Sequence, residues 1–322
     1  MTGLFAPILP PILPILPPIL PLAHVVIALT MPILLVGIVN RVKALWAGRK
    51  GPRLLQTASD LRRLLGKRPV YSTVATPLFR AGAYVVLIAS LLAAMIAPIL
   101  GSFSLLRFDH DFIVFAYTLG LARIFLMLSA MDVGSSFEGM GAAREASFSA
   151  FVEPALFLLV GAAGVATGNM SFAGLIGHLH QAESFRWLAA PAVVALFILL
   201  QTEAARVPVD DPLTHLELTM IHEVMVLDHS GPELAAMQYS AALKMSLYAG
   251  LIAAVLNPFD PFDAPGACVL ASLAIMAAVA VAVGCVESLT ARLPMRWVPR
   301  YLLLASVAAA LCMVVVGLAA SP

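Results

Sequence analysis

Apolar and polar positions alternate along this chain in long blocks rather than at the short periods of soluble helices and strands. Eight mostly uncharged runs stand at approximately 22–44, 80–101, 112–130, 150–168, 187–206, 240–256, 266–286 and 301–319. Each is close to the ~20 residues a helix needs to cross a bilayer core. They predict eight transmembrane helices joined by polar loops, with Pro32 kinking the first rather than breaking it. Before them, Pro-Ile-Leu recurs at 7, 11, 14 and 18. Proline at this density cannot continue a helix and favours an extended polyproline form. No basic stretch precedes it, so a cleaved signal peptide is not expected. The chain thus divides into a proline-rich segment, 1–21, and one membrane domain, 22–322.

Composition strengthens this reading. Of 322 residues, 61% are hydrophobic and only 11% charged, with a mean hydropathy of +0.97. A soluble domain carries far more charge. The fold class is therefore all-α, a polytopic integral membrane protein. A net charge of +1 gives no case for nucleic acid. Cys268, Cys285 and Cys312 all lie in apolar runs and form no C-x-x-C pair, so neither a zinc site nor an iron–sulfur cluster is expected on this chain.

The charges are distributed unevenly. The loop after the first span holds Arg41, Lys43, Arg49, Lys50, Arg53, Arg62, Arg63, Lys67, Arg68 and Arg80 against a single acid, Asp60. The positive-inside rule makes that loop, 41–80, cytoplasmic. Alternation then puts 131–149, 207–239 and 287–300 on the same side and both termini outside. One face is elaborate and the other is short and plain, as expected of a protein that docks something on one side.

Candidate chemistry sits at that elaborate face. Arg123 lies inside the third span, where an isolated arginine costs about 2.5–3.5 kcal/mol. It either snorkels to the interface or pairs with Asp132, Glu153 or Glu203. Ser135 and Glu138 have capping-box spacing. Glu145, Ser149 and Glu153 follow at i, i+4 and i+8 on one helical face, as a proton path into the fourth span requires; a solvated face is the plain alternative for Glu145. The segment 201–233 is the densest in ionisable groups. Glu203 and Arg206 are one turn apart and able to pair. Pro208 should end that helix, and Asp211-Pro212 should start another. On this second helix His215 and His222 share a face, with Glu217 and Glu223 beside them. The spacing is not H-E-x-x-H, so a zincin is rejected. A histidine–carboxylate set suits proton relay; a plain interfacial helix is the alternative.

Three segments in order carry a resemblance: GRKGPRLLQTASDLRRLL (48–65), ARIFLMLSAMDVGSSFEGMGAARE (122–145) and EAARVPVDDPLTHLELTMIHEVMVLDHSGP (203–232). Together with the eight spans they resemble the membrane-anchor subunit of formate hydrogenlyase-type and energy-converting nickel–iron hydrogenases, the relative of complex I subunit 1. The likeness covers residues from about 23 to 319 and omits the proline-rich start. Glu153 and Glu203 match two of that family's buried acids, Glu217 matches a further one, and Glu203, Arg206, Pro208 and Asp210 match its E-x-x-R-x-P-x-D signature. Leu213 and His215 replace acids found in complex I, which favours the hydrogenase branch and weighs against quinone binding.

The resemblance implies a prokaryotic inner-membrane subunit without a redox centre of its own. Its expected partners are hydrogenase-like large and small iron–sulfur subunits on the cytoplasmic face and antiporter-like membrane subunits, within the lipid bilayer. Iron–sulfur clusters and nickel–iron would sit on those partners, and quinone is left open. Proton or sodium coupling is expected at Glu153, Glu203, Glu217, Asp210, His215, His222, Glu223, Asp132 and Glu145. Arg123, Arg144 and Arg206 would compensate charge, and Arg49, Lys50, Arg53, Arg62 and Arg63 would dock the peripheral arm. The alternatives are a quinone-site subunit, marked by a cavity between the first and sixth spans; a stand-alone transporter, marked by inverted repeats and broken helices; and a purely structural anchor.

Overall fold

A computed structural model describes residues 19–180, 185–211 and 220–320. Within them the chain is helical, in the order α1 (Ile19–Trp46), α2 (Gln56–Leu65), α3 (Pro77–Ile96), α4 (Asp111–Asp132), α5 (Ser136–Thr167), α6 (Phe172–Leu179), α7 (Phe185–Glu203), α8 (Gly231–Leu256), α9 (Pro265–Leu289) and α10 (Val298–Ala320). Among the described residues, seven helices are long and apolar enough to cross a membrane, and Trp187–Glu203 is a shorter apolar one. The eight predicted spans are therefore all helices. The protein is an all-α, multi-pass membrane protein.

Helix α8 is the axis of the bundle. Every residue from Ala242 to Val255 is buried, against α1, α3, α7 and α9. The pairs α3 with α4, α1 with α9, and α5 and α7 with α10 close around it. Small residues permit close approach. A Cβ on Gly250 would meet Ile99 Cγ2 at 2.6 Å, and one on Gly82 would meet Ser129 Cβ at 2.7 Å. The outward faces keep large apolar side chains exposed, among them Leu22, Ile88, Leu270 and Leu318, as lipid contact demands.

Helix α1 continues through Pro32, as the sequence reading expects, and α5 and α7 likewise run through Pro154 and Pro191. Several boundaries differ from that reading. Segment 136–149, outside the fourth predicted span, forms the first turns of α5, with Glu145 and Ser149 in the helical register their spacing suggests. Ser135 occupies the N-cap position there without a side-chain capping bond, and Glu138 instead accepts the Asp228 N–H at 3.2 Å. Helix α7 ends at Glu203, five residues ahead of Pro208, because Ala205 takes a left-handed φ of 51° and turns the chain. The second helix expected from Asp211-Pro212, with His215 and Glu217, lies outside the described residues. His222 precedes a single 3₁₀ turn at Glu223–Val226 rather than riding on a longer helix.

The polar segments gather at one end of the bundle. There Ser230 Oγ meets the Val70 N–H at 2.8 Å, the Thr76 N–H donates to Asp132, and the Leu293 N–H donates to the Pro208 carbonyl. Helix α2 lies at this end with Leu61 buried, while Arg49, Lys50, Arg53, Arg62 and Arg63 are exposed. The opposite end is built from 97–110 and 168–180, tied by Asp111, which accepts the Phe172 N–H at 2.5 Å.

Candidate functional site

Arg123 sits on α4 with 4% of its surface exposed. Its three guanidinium nitrogens each face a different carboxylate. Nη1 donates to Glu153 Oε1 at 2.6 Å, Nη2 donates to Glu203 Oε1, and Nε lies 3.2 Å from Glu145 Oε1. A planar, permanently charged fork suits this task. Two of the three anticipated partners, Glu153 and Glu203, are thus present, and Glu145 joins them. The third, Asp132, belongs elsewhere. It accepts the Thr76 N–H at 2.7 Å and the Thr76 hydroxyl at 2.8 Å, fastening the end of α4 to the start of α3. Glu145 and Glu153 do share one face of α5, while the Ser149 hydroxyl donates to its own helix at Ala146.

Each carboxylate leads to a further partner. Glu203 Oε2 lies 3.3 Å from Lys244 Nζ. Glu145 Oε2 lies 3.2 Å from His222 Nε2, and His222 Nδ1 faces Asp210 Oδ2 at 3.7 Å. Asp210 is fully buried; it accepts the His222 N–H at 2.8 Å and the Ile221 N–H at 3.2 Å and pairs with Arg292 Nη2 at 3.0 Å. Burial opposes the charge on His222, but Glu145 and Asp210 outweigh it and raise the ring to about 10. Burial likewise opposes ionisation of Asp210, yet the His222 ring and backbone N–H, with Arg292, hold its carboxyl below the usual range.

Arg206 does not pair with Glu203. Beyond the end of α7 it turns to Glu287 on α9, whose Oε1 lies 3.5 Å from its Nη1 and whose Oε2 lies 2.7 Å from Lys43 Nζ. Arg144 donates to the Met220 carbonyl at 2.7 Å and so holds the start of the 220–230 segment against α5. Gly141 makes that packing feasible, since a Cβ there would collide with Val224. Lys244, Glu287 and Arg292 were not singled out from sequence. A lone lysine inside the apolar α8 and a lone glutamate near the end of α9 were the available signals.

A cavity of about 250 Å³ opens beside this network. Glu203, Arg206, His222, Glu223 and Lys244 provide its charged lining, and Val36 and Asn40 of α1 and Met237 and Gln238 of α8 line it as well. A second, smaller cavity of about 40 Å³ lies across the cluster, bounded by Arg123, Glu153, Glu203 and Tyr248. Glu203 lines both. Of the coupling residues expected from sequence, Glu145, Glu153, Glu203, Asp210, His222 and Glu223 therefore converge on one site, Asp132 lies outside it, and Glu217 and His215 are not described.

The NADH dehydrogenase family profile matches residues 20–318 of this chain. Hydrogenase-4 component C of Escherichia coli (strain K12) is 29% identical over 254 residues, 79% of this chain and 80% of that protein. Formate hydrogenlyase subunit 4 of the same organism is 28% identical over 276 residues, covering 83% of this chain and 88% of that protein. Among solved structures, a chain of the membrane-bound sulfane sulfur reductase, an archaeal respiratory membrane complex, superimposes with a TM-score of 0.76 at 20% identity. That match covers 91% of this chain and 98% of the other, and it speaks to the fold alone.

Proposed function

The chain belongs to the NADH dehydrogenase family, and on that footing we propose that it is the membrane subunit of a hydrogenase-type, complex I-like oxidoreductase that couples electron transfer in a docked arm to proton movement. The arm carries the redox centres, iron–sulfur clusters with or without nickel–iron, on hydrogenase-like large and small subunits. Antiporter-like membrane subunits adjoin this one. Loop 41–80 faces the cytoplasm of a prokaryotic inner membrane and offers Arg49, Lys50, Arg53, Arg62 and Arg63 to the arm.

The observation that carries this reading is Arg123 binding carboxylates from two helices beside a cavity lined with further ionisable groups. Glu145, Glu153, Glu203 and Asp210 supply four negative charges; Arg123, Lys244, Arg292 and protonated His222 supply four positive ones. In a medium of low dielectric a balanced set is sensitive to any added charge. A change of charge in the arm, felt through the cavity, then alters how many protons the set holds.

The test replaces Glu203 and Glu153 by glutamine in the complete complex within native membrane vesicles. Uncoupling is expected with the redox reaction and assembly retained, more severe for Glu203, which is buried, than for Glu153, whose side chain is 54% exposed. Unchanged proton uptake in an assembled Glu203→Gln complex would leave only a structural anchor.

A second reading has one observation in its favour. The larger cavity lies between α1 and α8, where a quinone-site subunit would place its substrate. Competition by a quinone-site inhibitor at low concentration supports it, and insensitivity removes it. For a stand-alone transporter the corresponding signs are not seen: among the described residues, the long apolar helices run unbroken through their prolines.

A further inference from the structure

We propose that Lys244 is the group that passes protons between the large cavity and the buried carboxylate cluster. This rests on the coupling role proposed above and specifies its carrier. A carrier for the cluster must line the cavity, touch Glu203 and be able to release a proton. Among the described residues Glu203 forms ion pairs with two cations, Arg123 through Oε1 and Lys244 through Oε2. Arg123 is a guanidinium, which does not deprotonate in proteins, and it is spent on three carboxylates. Lys244 is an ammonium, a group that can lose its proton in a protein interior.

Position supports the assignment. Lys244 is 5% exposed on the most buried helix of the bundle, and it lines the large cavity beside Glu203. It has three donors, of which one faces Glu203, so the others are available to cavity water. Its one carboxylate partner is shared with Arg123, whereas both ring nitrogens of His222 face carboxylates, Glu145 and Asp210. The charged and titratable groups around it are Arg123 on α4, Glu145 on α5, Glu203 on α7, His222 on the 220–230 segment and Tyr248 one turn on along α8. Arg206 and Glu223 complete the charged lining of the cavity.

The transfer balances in three steps. The ammonium gives one proton to Glu203 Oε2, leaving an amine and a neutral carboxylic acid. The acid gives that proton to water in the small cavity beside Glu153 and Tyr248, forming hydronium there, and becomes a carboxylate again. The amine takes a proton from hydronium in the large cavity, leaving water, and regains its charge. One proton has then crossed the partition formed by Arg123, Glu203 and Lys244, and no other group has changed.

Lys244→Arg separates this from a merely compensating charge. Arginine keeps a cation against Glu203 and so preserves assembly, but it cannot give up a proton. The complete complex would be assayed in inverted native membrane vesicles, with electrons from dithionite-reduced methyl viologen and acidification followed by quenching of an acridine dye. Lys244→Arg is expected to assemble, to keep its viologen-linked redox rate, and to lose initial proton uptake by ~100-fold, the scale of losing a positioned acid–base group. Wild-type quenching in Lys244→Arg would overturn the proposal. Glu203→Gln, measured alongside, isolates the parent reading. If it uncouples while Lys244→Arg does not, only the lysine's role is lost. If neither uncouples, or if wild-type vesicles show no quenching, proton coupling at this site falls as a whole.

Discussion

Arg123 and Glu203 stand 80 residues apart and meet in a direct, buried ion pair that fastens the middle of α4 to the last turn of α7. This contact explains why two separate sequence segments, each costly in a membrane, are tolerated together. Neither charge is satisfied by its own helix. The same guanidinium also reaches α5 at Glu145 and Glu153, so a single side chain sets the spacing of three helices.

Arg123→Gln should therefore be severely destabilising. It leaves Glu145 with His222 alone and Glu203 with Lys244 alone, both carboxylates being buried, and breaking a buried pair from one side costs about 3–5 kcal/mol. Arg123→Lys should recover only part of this, since one ammonium cannot span three carboxylates. Adding Glu203→Gln to Arg123→Gln should restore some stability by removing one carboxylate that has lost its guanidinium. Thermal melting of detergent-purified protein measures all three. Equal melting of Arg123→Gln and wild type would show that the cluster is not an organising contact.

The 220–230 segment reaches the cluster only because Gly141 lets it lie flat on α5. A Cβ there would meet the Ile221 carbonyl oxygen and Met225 Cγ at 2.9 Å as well as Val224. Gly141→Val should displace His222 from Glu145 while leaving the spans in place. Overpacking of this kind costs ~1–3 kcal/mol. The expected signature is normal insertion with impaired coupling; a coupled Gly141→Val complex would show that His222 is dispensable there.

The spans were legible because every one is a long apolar run, and that signal survives without any knowledge of packing. The elaborate end was legible only in part. Glu153 and Glu203 were read as partners of Arg123 since intramembrane charges need counter-charges. The Glu203–Arg206 pair was not formed, because Ala205 reverses the chain and sends Arg206 to Glu287. Asp132 looked identical in sequence to the clustered acids, yet it holds Thr76, a contact fixed by how α3 packs on α4. Lys244 is masked in sequence by the apolar residues of α8, although an isolated charge in such a run is itself a signal.

His222 gives a pH dependence of definite sign. Its folded value, about 10, lies above the ordinary 6.5, so the folded protein binds the proton more tightly than the unfolded chain. The stabilisation is complete below pH 6.5, declines as pH rises from there, and is gone once pH has passed about 10. Melting temperature should fall across this interval in wild type. In His222→Gln it should start lower and fall less. Parallel curves for the two proteins would exclude His222 as the source.

Tyr71 tests a strap away from the cluster. Its hydroxyl donates at 2.7 Å to Glu233 Oε1, a carboxylate 1% exposed in the first turn of α8. Glu233 Oε2 lies 3.6 Å from His229 Nδ1, and the His229 ring stacks on Phe79 at 4.0 Å while its Nε2 meets Ser129 Oγ at 3.0 Å. The strap thus ties segment 66–76 to the ends of α3, α4 and α8. Tyr71→Phe deprives a buried carboxylate of its donor, which costs about 1–3 kcal/mol. Glu233→Gln keeps an acceptor for the hydroxyl and should do less harm. Lys67 and Arg68 are exposed in the same segment, so trypsin reports its opening directly. Cleavage there should be faster in Tyr71→Phe than in wild type, with Glu233→Gln between them. Equal rates in all three would mean that the segment is held without the Tyr71 hydroxyl, by contacts such as Ser230 with Val70 and Asp132 with Thr76.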